Sequence, residues 1–268
     1  DDPSMHSSQN EQDSRFYGKF GMIPILEPSN QQEAYDMTYQ GFKLSEQLRL
    51  PVMVRITTRL AHSRSGVATR DPQPENQLQL PLNPKQFLLL PAFARKYYNN
   101  LLLKQEEMVG LSETSDWNFL KLGADHSLGI ICCGISYNYL MENYWETDCP
   151  YSVLKVSQYP LPVGLVRKLG QLCEEILVLE EGYPLVEELL SDVFGKGVKI
   201  SGRLNGKLPR AGELNPDHVG RALGKELEGG LAVPPVVAGR PPALCQGCGH
   251  QDVYYALNAA IEHLGYGR

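Results

Sequence analysis

The chain has 268 residues, a formal net charge of −6 and an apolar content of 42%. This length allows one large domain or two ordinary ones, and the apolar content suffices for a packed core. The negative charge argues against nucleic acid as the main partner. No apolar run approaches the roughly 20 residues of a membrane span, and the polar opening does not resemble a signal peptide.

The first sixty residues predict a parallel βαβ unit. One strand is predicted over 22–26, a helix follows, and a second strand is predicted over 52–57. Asn30 stands three residues before Glu33, a spacing typical of a helix-capping box. The helix should bury one face, whose members recur at helical spacing: Ala34, Met37, Gly41, Leu44 and Leu48.

The middle of the chain contains a proline-rich polar segment followed by a predicted helix. Residues 65–84 are rich in proline, glutamine and asparagine, which predicts a linker on the surface. A helix is predicted over about 92–109, and 111–125 is expected to be loop. Tyr97, Leu101 and Met108 are candidates for the packed face of that helix.

A second α/β pattern begins at Leu128. Strands are predicted over 128–136, 151–158, 175–182 and 198–202, with helices over 137–145, 160–173 and 184–194. This alternation predicts a compact doubly wound domain with a mainly parallel sheet. Cys132 and Cys133 lie in the apolar run "SLGIICCGIS" and are expected in its core.

The last third ends in a second linker and a helix. Residues 203–239 are linker-like around a short helix, and a final helix follows from Asp252. Its apolar stripe should be buried against another element: Val253, Leu257, Ala260, Ile261 and Leu264. The polar opening and this unpartnered stripe suggest that both ends are cut from a larger protein.

The six cysteines do not form a disulfide framework. Only Cys245 and Cys248 are closely spaced, so a reducing cytoplasm is expected. The loop "CQGCGH" (245–250) allows several interpretations: small apolar residues packed in a loop, a zinc site that also uses His250, or a phosphate-binding turn beside a metal cluster. In the last one, Gly247 and Gly249 let backbone N–H groups approach an anion at the start of a helix.

"CQGCGH" followed by a helix resembles the start of the thiamine-diphosphate-binding domain of 2-oxoacid:ferredoxin oxidoreductases. Residues 1–64 resemble the last part of the pyrimidine-side domain in alpha subunits of the family's indolepyruvate branch. The segments "LGIICCGISYNYLMENY" through "VSQYPLP", "LVLEEGYPLVEE" and "GELNP" resemble the middle domain of those subunits, which is similar to the C-terminal domain of transketolases.

The resemblance implies an α/β fold with a mainly parallel sheet, in which a transketolase C-terminal-like middle domain is flanked by partial thiamine-diphosphate-binding domains. The expected segments are 1–68 from the pyrimidine-side domain, 69–110 as linker and helix, 111–202 as middle domain, 203–239 as connector and 240–268 from the diphosphate-side domain.

The resemblance also implies an activity. The parent protein is expected to decarboxylate aryl-2-oxoacids to acyl-CoA on thiamine diphosphate with Mg²⁺, passing electrons through a 4Fe-4S cluster to ferredoxin. Its partners would be a beta subunit, ferredoxin, CoA, the 2-oxoacid and a second copy. The family's Gly-Asp metal motif would follow Arg268 and its catalytic glutamate would precede Asp1, so we expect these 268 residues alone to be inactive.

Candidate site residues follow from the same resemblance. The cofactor-binding candidates are Gly247, Cys248, Gly249, His250, His6, Ser7 and Asn10, and the metal-ligand candidates are Cys245 and Cys248. Asp13 and Arg15 are expected to form an ion pair, and Glu180, Glu181 and Tyr183 to serve domain packing. His62 is a weaker candidate for the same cleft.

Two departures concern the substrate. Gln246 and Gly249 stand where these alpha subunits usually carry proline, and the Gly-Cys-Gly-His form is closer to beta subunits of the pyruvate and 2-oxoglutarate relatives. The alternatives are therefore a related pyruvate or 2-oxoglutarate enzyme, a non-catalytic transketolase-like scaffold that mediates dimer contacts, and a zinc-binding module.

Overall fold

A computed structural model describes residues 1–6, 8–75, 77, 80–194, 197–227, 232–238 and 243–266. The chain divides into two compact units, 1–227 and 228–268. The described helices are α1 (Arg15–Gly21), α2 (Gln31–Leu48), α3 (Thr58–His62), α4 (Pro91–Glu113), α5 (Ser136–Glu142), α6 (Val163–Leu172), α7 (Leu185–Phe194), α8 (Pro216–Ala222) and α9 (Gly249–His263). The described strands are β1 (Ile25–Leu26), β2 (Met53–Val54), β3 (Phe119–Lys121), β4 (Asp125–Cys133), β5 (Tyr151–Val156), β6 (Gln158–Tyr159), β7 (Glu175–Leu179) and β8 (Lys199–Ser201). None of the described helices has the length and apolarity that crossing a bilayer requires.

The predicted βαβ unit is present near the start of the first unit. β1 and β2 pair in parallel and α2 connects them, while β6 joins β1 antiparallel. Both strands are only two residues long, shorter than predicted. Pro24 and Pro28 flank β1 closely, and proline cannot donate to a strand ladder. Asn30 caps α2 by accepting from the Glu33 N–H at 2.9 Å, as predicted.

The second sheet has five strands in the order β3-β5-β4-β7-β8. The four strands β5, β4, β7 and β8 run parallel to one another, which confirms the mainly parallel sheet. The expectation of loop over 111–125 was wrong, because α4 continues to Glu113 and β3 pairs antiparallel with β5. The loop-like composition of this stretch hid a three-residue edge strand, whose stability comes from its pairing partner rather than from its own sequence.

Two apolar layers cover the five-stranded sheet, one on each face. One layer packs β4, β5 and β7 against α6 and α7 and includes Cys133. The other packs the same strands against α5 and α8 and includes Cys132. Both thiols are fully buried, as predicted. Successive residues of a strand point to opposite faces, so each thiol lies in a different one of the two layers. The predicted boundaries at 68, 110 and 202 all lie inside the first unit, and the division into separate domains stays a prediction.

Candidate functional site

A buried ionic cluster lies where the chain leaves the carboxyl ends of three strands. Glu27 follows β1, Arg55 follows β2 and Glu180 follows β7, while Asp13 and Arg15 come from the segment that starts α1. All five side chains are at most 5% exposed. Polar groups at the carboxyl edge of an α/β sheet often form a ligand site. Whether these five side chains are available to a ligand depends on their ion-pair and hydrogen-bond partners within the cluster.

Arg15 is the centre of the cluster. Its Nε and Nη2 donate to the Asp13 carboxylate at 2.5–3.1 Å, and its Nη1 lies 2.9 Å from Glu180 Oε2. Nη2 also donates to the carbonyl oxygens of Glu181 at 2.9 Å and Tyr183 at 2.8 Å. The predicted Asp13–Arg15 ion pair is therefore present, and Arg15 also ties α1 to the loop after β7.

Arg55 makes the second connection. Its Nη1 pairs with Glu27 Oε1, and its Nη2 donates to the Glu181 carbonyl oxygen at 3.0 Å. The other Glu27 oxygen accepts from the Tyr159 hydroxyl at 2.7 Å. Arg55 thus links the end of β2 to the loop after β7, so both arginines hold the βαβ part against the five-stranded sheet.

The carboxylates respond differently to burial. Burial alone would raise the pKa of Asp13, but the charges of Arg15 and Arg55 outweigh burial and lower it. For Glu180, burial dominates and raises the pKa, although Arg15 and two backbone N–H groups favour the charged form. Burial likewise raises the pKa of Glu181.

Glu180 and Glu181 also organise the elements around them. Glu180 accepts from the N–H groups of Val186 and Glu187, both at 3.0 Å, and so caps the first turn of α7. Glu181 accepts from the Tyr139 hydroxyl and from the Leu214 N–H, also at 3.0 Å. These contacts support the predicted role of both residues in packing.

Two glycines let the carboxylates approach the strand ends. Gly182 has φ +83°, and a Cβ there would lie 2.7 Å from Asp13 Oδ2. Gly134 has φ +50°, and a Cβ there would lie 2.6 Å from Glu27 Cγ. Because both glycines combine a left-handed backbone with a close neighbour, the cluster depends on their lack of a side chain.

The cluster members pair with one another, and none of the five side chains is more than 5% exposed. Each of the two arginines contacts at least two carboxylates or carbonyl oxygens, and Glu27 and Glu180 accept from several donors. We expect this arrangement to stabilise the first unit. Sequence reasoning did not single out Glu27 or Arg55. Glu27 directly follows the strand predicted over 22–26, whereas Arg55 lies inside the strand predicted over 52–57 and follows only the shorter observed β2.

The polar segment near the start of the chain is exposed. His6 is exposed, and its ring Nε2 lies 3.4 Å from Glu213 Oε2. The backbone N–H of His6 donates to Asp2 Oδ1 at 3.0 Å. Asn10 is exposed and contacts Ser8 and Gln12. Ser7 lies outside the described residues. His62 is exposed at the end of α3. The structure thus places His6 and Asn10 on one segment, and their part in a site stays a prediction.

The loop "CQGCGH" forms a tight turn at the start of α9. The Cys248 N–H donates to the Cys245 carbonyl oxygen at 3.0 Å, and Gly247 adopts φ +78°. α9 begins at Gly249, three residues earlier than the predicted start at Asp252, and Asp252 lies in its first turn. Positions 247 and 249 have no neighbour within 4 Å of an added Cβ, so the backbone there is open to a ligand.

The cysteines of this loop differ from the other four. Cys245 is exposed and Cys248 is half-buried, with Sγ 3.1 Å from His250 Nδ1. The remaining thiols are buried, and burial raises the pKa of each. Within the described ranges no three His, Cys, Asp or Glu side chains meet as metal ligands. A 4Fe-4S cluster takes four cysteine ligands, so this loop alone would supply at most two of them.

Comparison with known proteins shows which class this chain resembles. Residues 2–96 match the family "Pyruvate flavodoxin/ferredoxin oxidoreductase, thiamine diP-bdg". A solved structure of 2-oxoglutarate:ferredoxin oxidoreductase from Magnetococcus marinus, with 2-oxoglutarate, coenzyme A and succinyl-CoA bound, superposes with a TM-score of 0.55. That match has 14% identity and covers 80% of this chain and 45% of the other. It therefore supports a shared fold and nothing more.

Curated relatives narrow the assignment. The chain is 38% identical to the indolepyruvate oxidoreductase subunit IorA of Methanothermobacter marburgensis over 99% of its own length, and 38% identical to IorA of Archaeoglobus fulgidus over the same share. It spans 44% of the length of each. IorA of Thermococcus kodakarensis is 34% identical over 97% of this chain, which covers 43% of that relative.

The chain is similar to the 2-oxoacid:ferredoxin oxidoreductase class in its α/β fold and in the thiamine-diphosphate-binding match of residues 2–96. Over nearly its whole length, its sequence is similar to the IorA subunits of indolepyruvate oxidoreductases. The resemblance expected from the sequence is confirmed, and the chain spans less than half the length of these relatives.

Proposed function

We propose that this chain is part of a thiamine-diphosphate-dependent oxidoreductase that oxidatively decarboxylates aryl-2-oxoacids of the indolepyruvate type to acyl-CoA and reduces ferredoxin. The observation that carries the proposal is the similarity to IorA subunits along 99% of the chain. The partners in this proposal are a beta subunit, ferredoxin, CoA and a second copy. A cytoplasmic location fits six free thiols, which a reducing compartment preserves.

Within this proposal, the loop 245–250 binds the diphosphate. The left-handed Gly247 and the open Gly249 leave backbone N–H groups free to meet phosphate oxygens, and the start of α9 adds the positive end of a helix dipole. Cys248 and His250 border the same turn. Thiamine diphosphate supplies the nucleophilic carbon for decarboxylation, and this chain's share is to hold and orient it.

The remaining candidates have separate tasks in the proposal. His6, Ser7 and Asn10 line the cofactor and substrate region, and Cys245 and Cys248 serve as ligands or close neighbours of a 4Fe-4S cluster whose other ligands lie elsewhere. Mg²⁺ is commonly bound by carboxylate oxygens, and Asp252 in the first turn of α9 is the one carboxylate among residues 245–252. We therefore expect Mg²⁺ to be held by other residues of the whole protein.

Calorimetry tests the diphosphate loop. We expect the protein expressed from the complete gene to bind thiamine diphosphate with Mg²⁺, and Gly247→Ala to weaken that binding about tenfold or more, because a methyl group strains the turn and blocks the anion. Gly265→Ala is the matched control. It has a similar φ of +72° and an equally open position at the other end of α9, about 22 Å away at 1.5 Å per residue.

The two variants separate the possible outcomes. Equal affinity of Gly247→Ala and the wild type would contradict the loop assignment. Equal losses in both variants would point to general destabilisation of α9 instead. The 268-residue chain alone should bind the cofactor weakly, since a few N–H groups, each worth about 1 kcal/mol, do not offset the dehydration of a diphosphate.

A non-catalytic scaffold is the second candidate function for the middle part. The Arg15 and Arg55 contacts to the loop after β7 favour it, because they make the five-stranded sheet the support of the βαβ part. Both functions coexist in one protein if residues 111–202 act as the frame for cofactor domains.

A further inference from the structure

An open cavity of about 490 Å³ lies in the first unit and is here called the α2 cavity. α2 and Arg70 line one side of it, and the end of α4 with the turn that follows lines the other. Leu26 and Gln158 are the most buried of the residues around it. The volume lies within the range of small-molecule sites, so the groups that line the cavity decide which ligand it can hold.

Gln158 brings an unpartnered amide to this cavity. The residue is only 6% exposed. Its backbone N–H donates to Asn118 Oδ1 at 2.9 Å, and its carbonyl oxygen accepts from Asn118 Nδ2 at 2.8 Å. The side-chain amide of Gln158 has no hydrogen-bond partner within the part of the chain that the structure describes. A buried amide is normally hydrogen-bonded, so this one is available to a ligand that both donates and accepts.

Further amides and an aromatic ring line the two sides. The α2 residues of the cavity lie on one face of the helix: Asp36, Gln40, Lys43, Leu44 and Gln47. On the other side, the half-buried indole ring of Trp117 makes no hydrogen bond, aromatic contact or cation–π contact with any described residue. An aromatic ring for stacking and amides that bond to the edge of a base are the groups that recognise a nucleobase.

Two cations lie at the rim of the cavity. Arg70 is held in place, since its backbone N–H donates to the Tyr35 hydroxyl at 2.9 Å and its Nε donates to Asp36 Oδ1 at 2.7 Å. Its Nη1 and Nη2 have no hydrogen-bond partner among the described residues, so the rest of its N–H fork is free. Arg70 Cζ lies 5.6 Å and Lys43 Nζ 5.2 Å from the centre of the same ring, that of Tyr39. Asp36 is the one described carboxylate that pairs with either cation, so the two together suit a further anion, and the planar fork of arginine suits phosphate.

Base-binding and phosphate-binding groups thus line one cavity. We propose that the α2 cavity binds a nucleoside phosphate. The base stacks on Trp117 and meets the Gln158 amide with its edge. The phosphate lies between Arg70 and Lys43, and the carboxylate of Asp116, which also lines the cavity, accepts from a ribose hydroxyl. This inference does not rest on the proposed oxidoreductase function, because it uses no residue of that proposal.

Calorimetry with adenosine diphosphate (ADP) tests the site. The protein expressed from the complete gene is first saturated with thiamine diphosphate and Mg²⁺, so that the diphosphate of ADP does not compete for the loop 245–250. ADP should then bind with a dissociation constant of about 1 mM or tighter. Ribose 5-phosphate lacks the base and adenosine lacks the phosphate, so each should bind about tenfold more weakly or less.

Two cavity variants and two matched controls locate the binding. Arg70→Gln and Trp117→Leu should each weaken ADP binding about tenfold or more, because they remove the phosphate fork and the stacking ring. Arg64→Gln makes the same charge change at an exposed arginine outside the cavity, and Trp145→Leu removes an exposed tryptophan outside it. Both controls should bind ADP like the wild type. Arg70 is exposed, so the circular dichroism spectrum of Arg70→Gln should match that of the wild type even if Trp117→Leu disturbs folding.

Three results would overturn the proposal: no binding of ADP, equal affinity of Arg70→Gln and the wild type, or ribose 5-phosphate binding as tightly as ADP. Free nucleotides and CoA both carry an adenosine with phosphates, so CoA is titrated into the same proteins. If Arg70→Gln and Trp117→Leu weaken the binding of CoA as much as that of ADP, CoA is an occupant of the cavity. If only the affinity for ADP falls, the occupant is a free nucleotide, and either result supports the site.

Discussion

Replacing Arg15 by Met tests the buried ionic cluster most strongly. Methionine keeps much of the volume and the flexible stem of arginine but has no charge and no donor. The substitution leaves Asp13 and Glu180 without the guanidinium that lies 2.5 Å and 2.9 Å from their oxygens. It also leaves the carbonyl oxygens of Glu181 and Tyr183 without their hydrogen bonds from Arg15.

The expected cost follows from burial. Arg15, Asp13 and Glu180 have fully buried side chains, so water cannot replace the lost partner. Removing one member of such a pair costs about 3–5 kcal/mol in the free energy of unfolding. A domain has about 5–15 kcal/mol in total, so this loss should be a large fraction of the stability of the first unit.

Urea unfolding followed by tryptophan fluorescence measures this loss. Both tryptophans, Trp117 and Trp145, lie in the first unit, so their emission reports its unfolding and not that of residues 228–268. Lys19→Met is the matched control, because Lys19 is an exposed cation one turn further along the same helix. Its cost should stay within about 0.5 kcal/mol.

The result that refutes the reasoning is specific. If Arg15→Met costs less than about 1 kcal/mol with an unchanged urea dependence, the cluster does not join the βαβ part to the five-stranded sheet. Arg15→Lys should fall between the two variants, because lysine keeps the charge but cannot make the forked contact with Asp13.

Two other predictions concern the same cluster. Asp13→Asn and Glu180→Gln should show opposite pH dependence in urea unfolding. The lowered pKa of Asp13 stabilises the wild type above the unfolded pKa, and this stabilisation is lost on acidification. The loss of unfolding free energy caused by Asp13→Asn should therefore grow as pH rises from about 3 to 7. The raised pKa of Glu180 stabilises the wild type at low pH, and this stabilisation is lost as pH rises. The loss of unfolding free energy caused by Glu180→Gln should therefore shrink as pH rises. If the two losses change with pH in the same direction, the reasoning is contradicted. Gly182→Ala should cost roughly 1–3 kcal/mol and clearly more than Gly206→Ala, which has φ +79° but no neighbour within 4 Å; equal costs would mean that the close approach of Asp13 does not matter.

Periodicity predicted most of the architecture. The strand–helix alternation after Leu128 gave the four parallel strands, since each buried strand carries a run of apolar residues and each helix a stripe. The edge strand β3 escaped prediction because its three residues, Phe119 to Lys121, are paired through backbone groups, which leave no mark on side-chain pattern. Pairing of β6 with β1 likewise joins residues more than 130 positions apart.

The candidate site was predicted in part. "CQGCGH" marked the turn before α9, because glycine and soft ligands are concentrated there. Asp13 and Arg15 are two positions apart, so their ion pair could be expected. The contacts of Arg15 with the Glu180 carboxylate and the Glu181 carbonyl oxygen could not, because groups that meet across more than 160 residues follow from topology rather than from spacing.

The most direct measurement concerns the activity of the whole protein. The proposal predicts that the product of the complete gene, expressed anaerobically with the proposed beta subunit, reduces ferredoxin or a viologen dye when indolepyruvate, CoA, thiamine diphosphate and Mg²⁺ are present, and uses pyruvate and 2-oxoglutarate much less well. Omission of thiamine diphosphate from the cofactor-free complex should abolish the reduction. A folded complex that binds thiamine diphosphate but reduces no acceptor with any of these 2-oxoacids would contradict the account.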